Sequence, residues 1–494
     1  MKIDNDNIQL RQTIWKIIRL LDWYRWYIES SMIREYILVL IFYKYLNDNC
    51  NEIWSKLSNI LKIPRWSSFE YLYNNKNEKD LWNIINNALK DFEFENRNVF
   101  INDDWIALFI SINFNNKNFW DKDNRNHFYS DLLSLLYKLD FSNTELSKYS
   151  KGFIKDLFHF ITYSYGSAWE DFYTPKELVM LLSELLKTDK VSKIYDPFNW
   201  IWNLLMWLWK EIWSNKVILY GQEINRTQWM ISVMNLFINW YENALFSLWN
   251  TIFEPKFTDW NNLMKFDIVV SNIPFWMNLE NVEKLRKDKY WRFWRWLPTK
   301  VRADWTCLTH IVESIKEETW IAGVIVPDYV LYRWVTEWNI RKTMVEENII
   351  EAVISLPSNL FSWTSLATSI IIFNKGKKDD KILFIDASKY FEKQVKINKL
   401  TNIGIKIIVD IYNDFKSWNL KDVICNKYFS YIAEIDEVRE KNFDLNIQLY
   451  VNNYEEENII TLDEITDDII LLDIEYIKSE EIVKERLIDL WIKK

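Results

Sequence analysis

The chain has 494 residues, a formal charge of −9, 49% hydrophobic and 27% charged residues, which excludes both a disordered polymer and a single small core and leaves room for two or three domains. The acidic balance excludes any global attraction to nucleic acid, so such contact has to come from a local basic patch or a partner. Cys50, Cys307 and Cys425 lack disulfide or metal spacing, and His127, His159 and His310 form no ligand pattern, so no metal site and a reduced, cytoplasmic setting are expected.

The start, MKIDNDNIQL, is polar, so no secretory signal is expected, and the apolar run from Tyr36 to Tyr43 is too short to cross a membrane. Residues 1–150 carry apolar positions at helical spacing, as in IREYILVLIFYKYLND, and predict a helical domain. From about Leu178 the pattern changes to short apolar strands separated by amphipathic helices. The strand candidates are 191–196, 216–223, 266–272, 322–327, 351–357 and 367–375. That alternation predicts an α/β fold with a mostly parallel, doubly wound sheet, and we place this domain at 155–390. Residues 391–494 turn charged and helical again. The stretch LDEITDDIILLDIEYIKSEEIVKERLIDLWIKK has near-heptad apolar spacing, which suits either a partner-packing helix or one folded on its own domain.

The tryptophans are the anomaly. The 29 Trp and 6 Gly together reach the roughly 35 glycines that an average chain of this length carries. Many Trp also follow Asn, Asp or Ser, where a turn glycine is usual: Asn199-Trp200, Asn239-Trp240, Asp259-Trp260, Asp304-Trp305, Ser362-Trp363 and Ser417-Trp418. The composition is rich in Asn, Ile, Lys, Tyr and Phe, as in AT-rich genomes. We therefore expect that UGA means glycine in the source and is written here as tryptophan, while some Trp are genuine.

Ligands of a doubly wound sheet bind at the carboxyl ends of its strands. The first such end is Asp196-Pro-Phe-Asn-Trp200-Ile-Trp202-Asn203, which with glycine at 200 and 202 becomes a tight loop entering a helix. The second strand ends at Glu223, an acid able to accept hydrogen bonds from both hydroxyls of a ribose. Loop and acid point to a nucleoside cofactor without saying which. A later strand, FDIVVSN, ends in Asn272-Ile273-Pro274-Phe275. There an amide oxygen and a backbone carbonyl can accept both hydrogens of an exocyclic amine, and an aromatic ring can stack on a flipped base.

On these residues the chain resembles the modification subunit of type I restriction–modification systems, a family of S-adenosylmethionine-dependent DNA adenine-N6 methyltransferases. The family motif reads Asn-Pro-Pro-Phe, so Ile273 departs from it while still supplying the carbonyl. The segment EDFYTPKELV is similar to the family's Phe-Tyr-Thr-Pro stretch, which implies cofactor contacts for Asp171, Phe172, Tyr173, Thr174, Pro175 and Lys176. The loop residues Asp196, Trp200, Ile201, Trp202 and Asn203, the acid Glu223, and Asn250, where the family often has Asp for the cofactor's adenine, complete the implied cofactor set. Further similarity runs through 302–315, 324–375 and 442–451, with Trp standing where the family has Gly at 200, 240, 276, 334, 338 and 363.

The resemblance implies a Rossmann-like methyltransferase domain with a seven-stranded sheet, one strand antiparallel near an edge. It also implies methyl transfer to N6 of a flipped adenine in double-stranded DNA by Asn272, Ile273, Pro274 and Phe275. The implied partners are a specificity subunit, a nuclease–translocase subunit and a second modification subunit. The alternatives are a stand-alone methyltransferase, which the acidic charge and the lack of a spare recognition domain disfavour, and an inactive assembly scaffold if Trp200 and Trp202 are literal.

Overall fold

The computed structural model describes residues 15–451 apart from 18, 21–22, 25–29, 51–59, 101–107, 110–111, 116–121, 143–173, 189–190, 201–202, 213–216, 240–242, 298–299, 301, 318–320, 335, 363, 395–396 and 418–428. The heptad-like stretch, Asp171, Phe172, Tyr173, Ile201 and Trp202 thus lie outside the described residues.

Thirteen strands form in chain order among the described residues. They are β1 (Lys193–Asp196), β2 (Ile218–Glu223), β3 (Ala244–Leu248), β4 (Thr258–Asp259), β5 (Asn262–Leu263), β6 (Ile268–Asn272) and β7 (Ile321–Pro327), followed by β8 (Ile350–Ser355), β9 (Thr368–Asn374), β10 (Lys381–Asp386), β11 (Phe391–Lys393), β12 (Asn398–Leu400) and β13 (Ser430–Glu434). Nine of them make one sheet in the order β13-β10-β8-β9-β7-β6-β1-β2-β3, and β4–β5 and β11–β12 are small hairpins. From β3 to β8 the order is that of a methyltransferase sheet, with β9 antiparallel to both β7 and β8.

The sheet is two strands wider than the seven expected. β10 pairs parallel to β8, and β13 closes the edge antiparallel to β10, so β9 lies inside the sheet rather than near its border. Residues up to Val451 therefore pack in the same core as the sheet, well past 390. β6 and β7 are buried at every residue, as strands covered on both faces must be, which is why they read as unbroken apolar runs. Over them lie the helices Lys176–Leu185 and Asp304–Ser314. The first presses so close that a Cβ on Gly323 of β7 would meet Leu182 at 2.9 Å and Leu186 at 3.0 Å.

The N-terminal helices Ser30–Cys50, Leu81–Glu95 and Lys122–Tyr137 build a second core around residues such as Phe42, Phe92, Phe109 and Tyr129. That core is completed by Trp229, Met230, Ile231, Met234 and Ile238 of the helix Arg226–Ile238, which follows β2. The helical region thus seats on the element that carries the end of β2. No helix among the described residues is long and apolar enough to cross a membrane.

Candidate active site

Three parallel strands bring their carboxyl ends to one cavity of about 300 Å³, lined among others by Phe198, Trp200, Glu223, Asn250, Pro274 and Met277. β1 ends in Asp196, only 4% exposed, whose carboxylate accepts from Ser271 Oγ of β6 at 2.7 Å and from the Phe198 backbone N–H at 3.0 Å. β2 ends in Glu223, whose Oε1 accepts from the Asn225 N–H at 2.6 Å. Burial pushes the Asp196 carboxyl up to about 7 and that of Glu223 up to about 8, the second helped by the charge of the first. Two acids are therefore held in a site that penalises their charge, a state that a donor-rich or cationic ligand relieves.

Asn250 lines the cavity, but its amide oxygen accepts from the N–H groups of Ile252 (2.9 Å) and Phe253 (3.2 Å). The acceptor expected of it is committed to its own turn, so Asn250 shapes this wall through that turn. The wall is pinned twice more. Thr251 Oγ1 donates to the Pro197 carbonyl at 2.6 Å, and the buried Arg292 donates to the carbonyls of Thr251 (3.0 Å) and Ile252 (2.7 Å). Arg292 also meets His310 Nδ1 at 3.1 Å, and burial and this cation hold the imidazole well below its ordinary pKa. The sequence reading missed Arg292 and Ser271, since neither lies in a motif.

β6 ends in Asn272, which is 4% exposed. Its Nδ2 donates to Thr174 Oγ1 at 3.1 Å, while its Oδ1, though buried, has no hydrogen-bond partner among the described residues. A buried acceptor without a donor costs free energy, and a ligand donor that reached it would recover that cost. Ile273 is buried and Pro274 faces the cavity. Phe275 is also buried, with T-shaped contacts to Phe361 at 6.0 Å and Trp276 at 6.4 Å. Among the described residues of the segment 171–176, Thr174 hydrogen-bonds Asn272, Pro175 takes the N-cap position of the following helix and Lys176 lies 5.3 Å from the Trp207 ring. Asn203 opens the helix Asn203–Ile212. Among the described residues no cluster of three or more His, Cys, Asp or Glu could hold a metal ion.

Trp200 lies across this geometry. Its indole Nε1 donates to the Asn272 carbonyl at 2.6 Å, bridging the β1 loop and β6 through the cavity. Trp260, Trp276 and Trp291 have φ of 54°, 58° and 55°, the left-handed region that glycine enters freely and bulky residues do not. Trp260 and Trp291 are 94% and 78% exposed, so little packing offsets that strain, while Trp276 is 41% exposed and edge-on to Phe275 at 6.4 Å. Trp305 is the opposite case. It sits not in a turn but in the helix Asp304–Ser314, 1% exposed, with Nε1 donating to the Val330 carbonyl at 3.2 Å.

Residues 156–459 match the model of the N-6 DNA methylase family. Two curated relatives are the type I restriction enzyme MpnII methylase subunit of Mycoplasma pneumoniae, 32% identical over 68% of this chain, and the MjaVII methylase subunit of Methanocaldococcus jannaschii, 27% identical over 70%. The matched stretches span 65% and 59% of those relatives' own lengths, less than two thirds of each. In fold, the chain is similar to the type I restriction–modification methyltransferase subunit of Streptococcus thermophilus, with a TM-score of 0.75, 23% identity, and 89% of this chain and 98% of that one covered. A modification subunit from Vibrio vulnificus gives a TM-score of 0.62 at 13% identity, over 90% of this chain and 98% of that one. The strand order, the cavity at the ends of β1, β2 and β6, and the match over 156–459 together make this chain a member of the N-6 DNA methylase family.

Proposed function

We propose that the protein transfers a methyl group from S-adenosylmethionine to N6 of adenine in DNA, as the modification subunit of a type I restriction–modification complex. The observation that carries this reading is the buried, partnerless Oδ1 of Asn272 at the end of β6, beside a cavity bounded by Glu223 and Pro274. When bound, the cofactor supplies an electrophilic methyl group on a sulfonium. Glu223 suits the ribose hydroxyls, which donate, and the β1 loop suits the rest of the ligand if its residue 200 is small. Asn272 Oδ1 and the Ile273 carbonyl hold the two hydrogens of the target amine, leaving its lone pair to face the methyl group. As the new N–C bond formed, the methyl–sulfur bond would break and release a neutral thioether, and the excess amine proton would pass by way of the acceptors that hold it to solvent, so positioning and acceptors aimed at the amine replace a general base.

Among the described residues the misfit to the cofactor is the Trp200 indole, which takes ligand space and occupies the Asn272 carbonyl. We infer that position 200 is glycine in the natural protein, as are 260, 276 and 291, whose φ values support it, and 202, on its place in the loop. Trp305, buried in a helix, is a genuine tryptophan in this reading. We take the domains as helical up to about 150 and methyltransferase from about 155, with residues to 451 added to the sheet's core. The partners are double-stranded DNA with a flipped adenine, a specificity subunit, a nuclease–translocase subunit and a second modification subunit.

The test is methyl transfer to duplex DNA by protein from the native host together with its specificity subunit, followed by digestion and identification of the modified base. N6-methyladenine is expected. Methylcytosine, or no transfer, overturns the reading. Native peptides carrying Trp at 200 and 202 instead favour an assembly scaffold.

A further inference from the structure

The segment after the Asn272 motif is a loop closed at its base by backbone hydrogen bonds, Leu279 N–H to the Lys300 carbonyl at 2.9 Å and Ala303 N–H to the Met277 carbonyl at 2.9 Å. Met277 lines the cavity, so the loop springs from the mouth of the site. Its cations divide by direction. Arg292 and Arg295 point inward and are 1% and 7% exposed. Arg292 pairs with Asp288 at 2.7 Å and holds the 251–252 wall, and Arg295 pairs with Glu313 and Glu347, each at 2.6 Å. Lys284, Arg286, Lys287, Lys289 and Lys300 are exposed, and of these Arg286 pairs with Glu283.

We propose that this loop is a phosphate-binding surface, its outward lysines gripping the DNA backbone beside the flipped nucleotide while Arg292 locks it to the cofactor wall and Arg295 to Glu313 and Glu347. The assignment rests on the DNA-methylation reading above. A chain of charge −9 repels DNA as a whole, so a duplex at the mouth of the site is held by a local cationic surface or by a partner, and the exposed lysines of this loop supply the first. A protein partner fits less well, because lysine is depleted at protein–protein interfaces and each ordered lysine costs side-chain entropy. The charges in question are the same whether residues 291, 294 and 296 carry an indole or a hydrogen.

The test takes the W200G/W202G protein as parent and compares it with the same protein carrying K284Q/K287Q/K289Q, each assembled with the specificity subunit, for binding a fluorescein-labelled mixed-sequence duplex by anisotropy. Salt is varied between about 50 and about 200 mM, where each lost phosphate contact lowers the slope of log K against log salt by about 0.9. The triple variant is expected to lose about 2–3 from that slope and at least ~10-fold in affinity, with S-adenosylmethionine binding unchanged. K406Q, an exposed lysine of the helix Asn402–Lys416 outside the loop, is expected to match the parent. Equal slopes and affinities for the parent and the triple variant overturn the proposal. So does a triple variant that no longer assembles with the specificity subunit, which makes the loop a protein-docking surface, and so does a parent that binds no duplex. A parent that binds the duplex but transfers no methyl group defeats the methylation reading and leaves the loop assignment standing.

Discussion

The two sides of the cavity differ in charge and in how they bear it. On the β1–β2 side, Asp196 and Glu223 are buried acids pushed up to about 7 and about 8 by their surroundings. On the side beyond β6, the loop from Leu279 to Lys300 buries two paired arginines and leaves its lysines in water. A cation with hydroxyl donors and a polyanion are the ligands that these two sides suit. The acidic side has to be dry to be selective, because unpaired buried charge is expensive until its ligand arrives. The basic side can stay wet, because phosphate contacts act through displaced counterions and need no dry pocket. Asn272 stands between them, its one orphaned oxygen belonging to neither charge system.

The largest effect is expected at that residue. Asn272→Ala should reduce methyl transfer by about 10²–10³-fold or more, as removal of a preorganised transition-state partner does, while leaving calorimetric cofactor affinity near that of the parent. Robust N6-methyladenine from this variant would end the assignment. Next in size is the loop residue. The chain with Trp at 200 and 202 should show no measurable cofactor binding, and W200G/W202G should restore it; equal affinity for the two would show that the indole at 200 is no obstacle.

Glu223 sharpens the acidic side. Glu223→Ala should weaken cofactor binding by about 1–3 kcal/mol, the cost of leaving hydrogen-bond donors without a charged partner. Its titration carries a sign. The folded carboxyl sits near 8, above the roughly 4.3 of an unfolded glutamate, so the native state holds the extra proton between those values. Stability without cofactor should therefore fall as pH rises from about 4 to about 8, and Glu223→Gln should flatten that fall in thermal melts. Ligand hydroxyls favour the carboxylate, so cofactor affinity should rise with pH over the same range as a proton is released.

The strands that form the site were legible in sequence. The apolar runs ending in Asp196, Glu223 and Asn272 needed no tertiary information, because fully buried parallel strands allow few polar residues. β3 and β13 were not legible, since edge strands are half exposed and carry a mixed pattern. Arg292 was hidden for another reason. It sits in a run of lysines and arginines that reads as surface, and only folding shows it clamping Thr251 and Ile252, some forty positions earlier. Phe275 illustrates the converse. Its motif position implied a stacking platform, and only the fold shows that the ring is buried against Phe361 and Trp276. Likewise Asp304-Trp305 had the look of a turn, and the helical register of the buried face overrides that local signal.

The smallest effect expected lies in the contact that aims the central amide. Thr174 Oγ1 accepts from Asn272 Nδ2 at 3.1 Å, and this fixes which end of the amide is left for a ligand. Thr174→Val keeps the shape and removes the acceptor, so the amide is free to turn its NH₂ toward an incoming amine, donor against donor. A neutral hydrogen bond of this kind is worth about 0.5–1.5 kcal/mol, which predicts a fall in kcat of about 2–12-fold with KM for the cofactor little changed. Thr174→Ser, which keeps the oxygen, should recover most of the rate. A merely structural role would instead lower Tm in the valine variant and leave kcat alone. The kcat-against-KM split, read beside the serine variant, therefore tells whether Thr174 orients Asn272 or only fills space beside it.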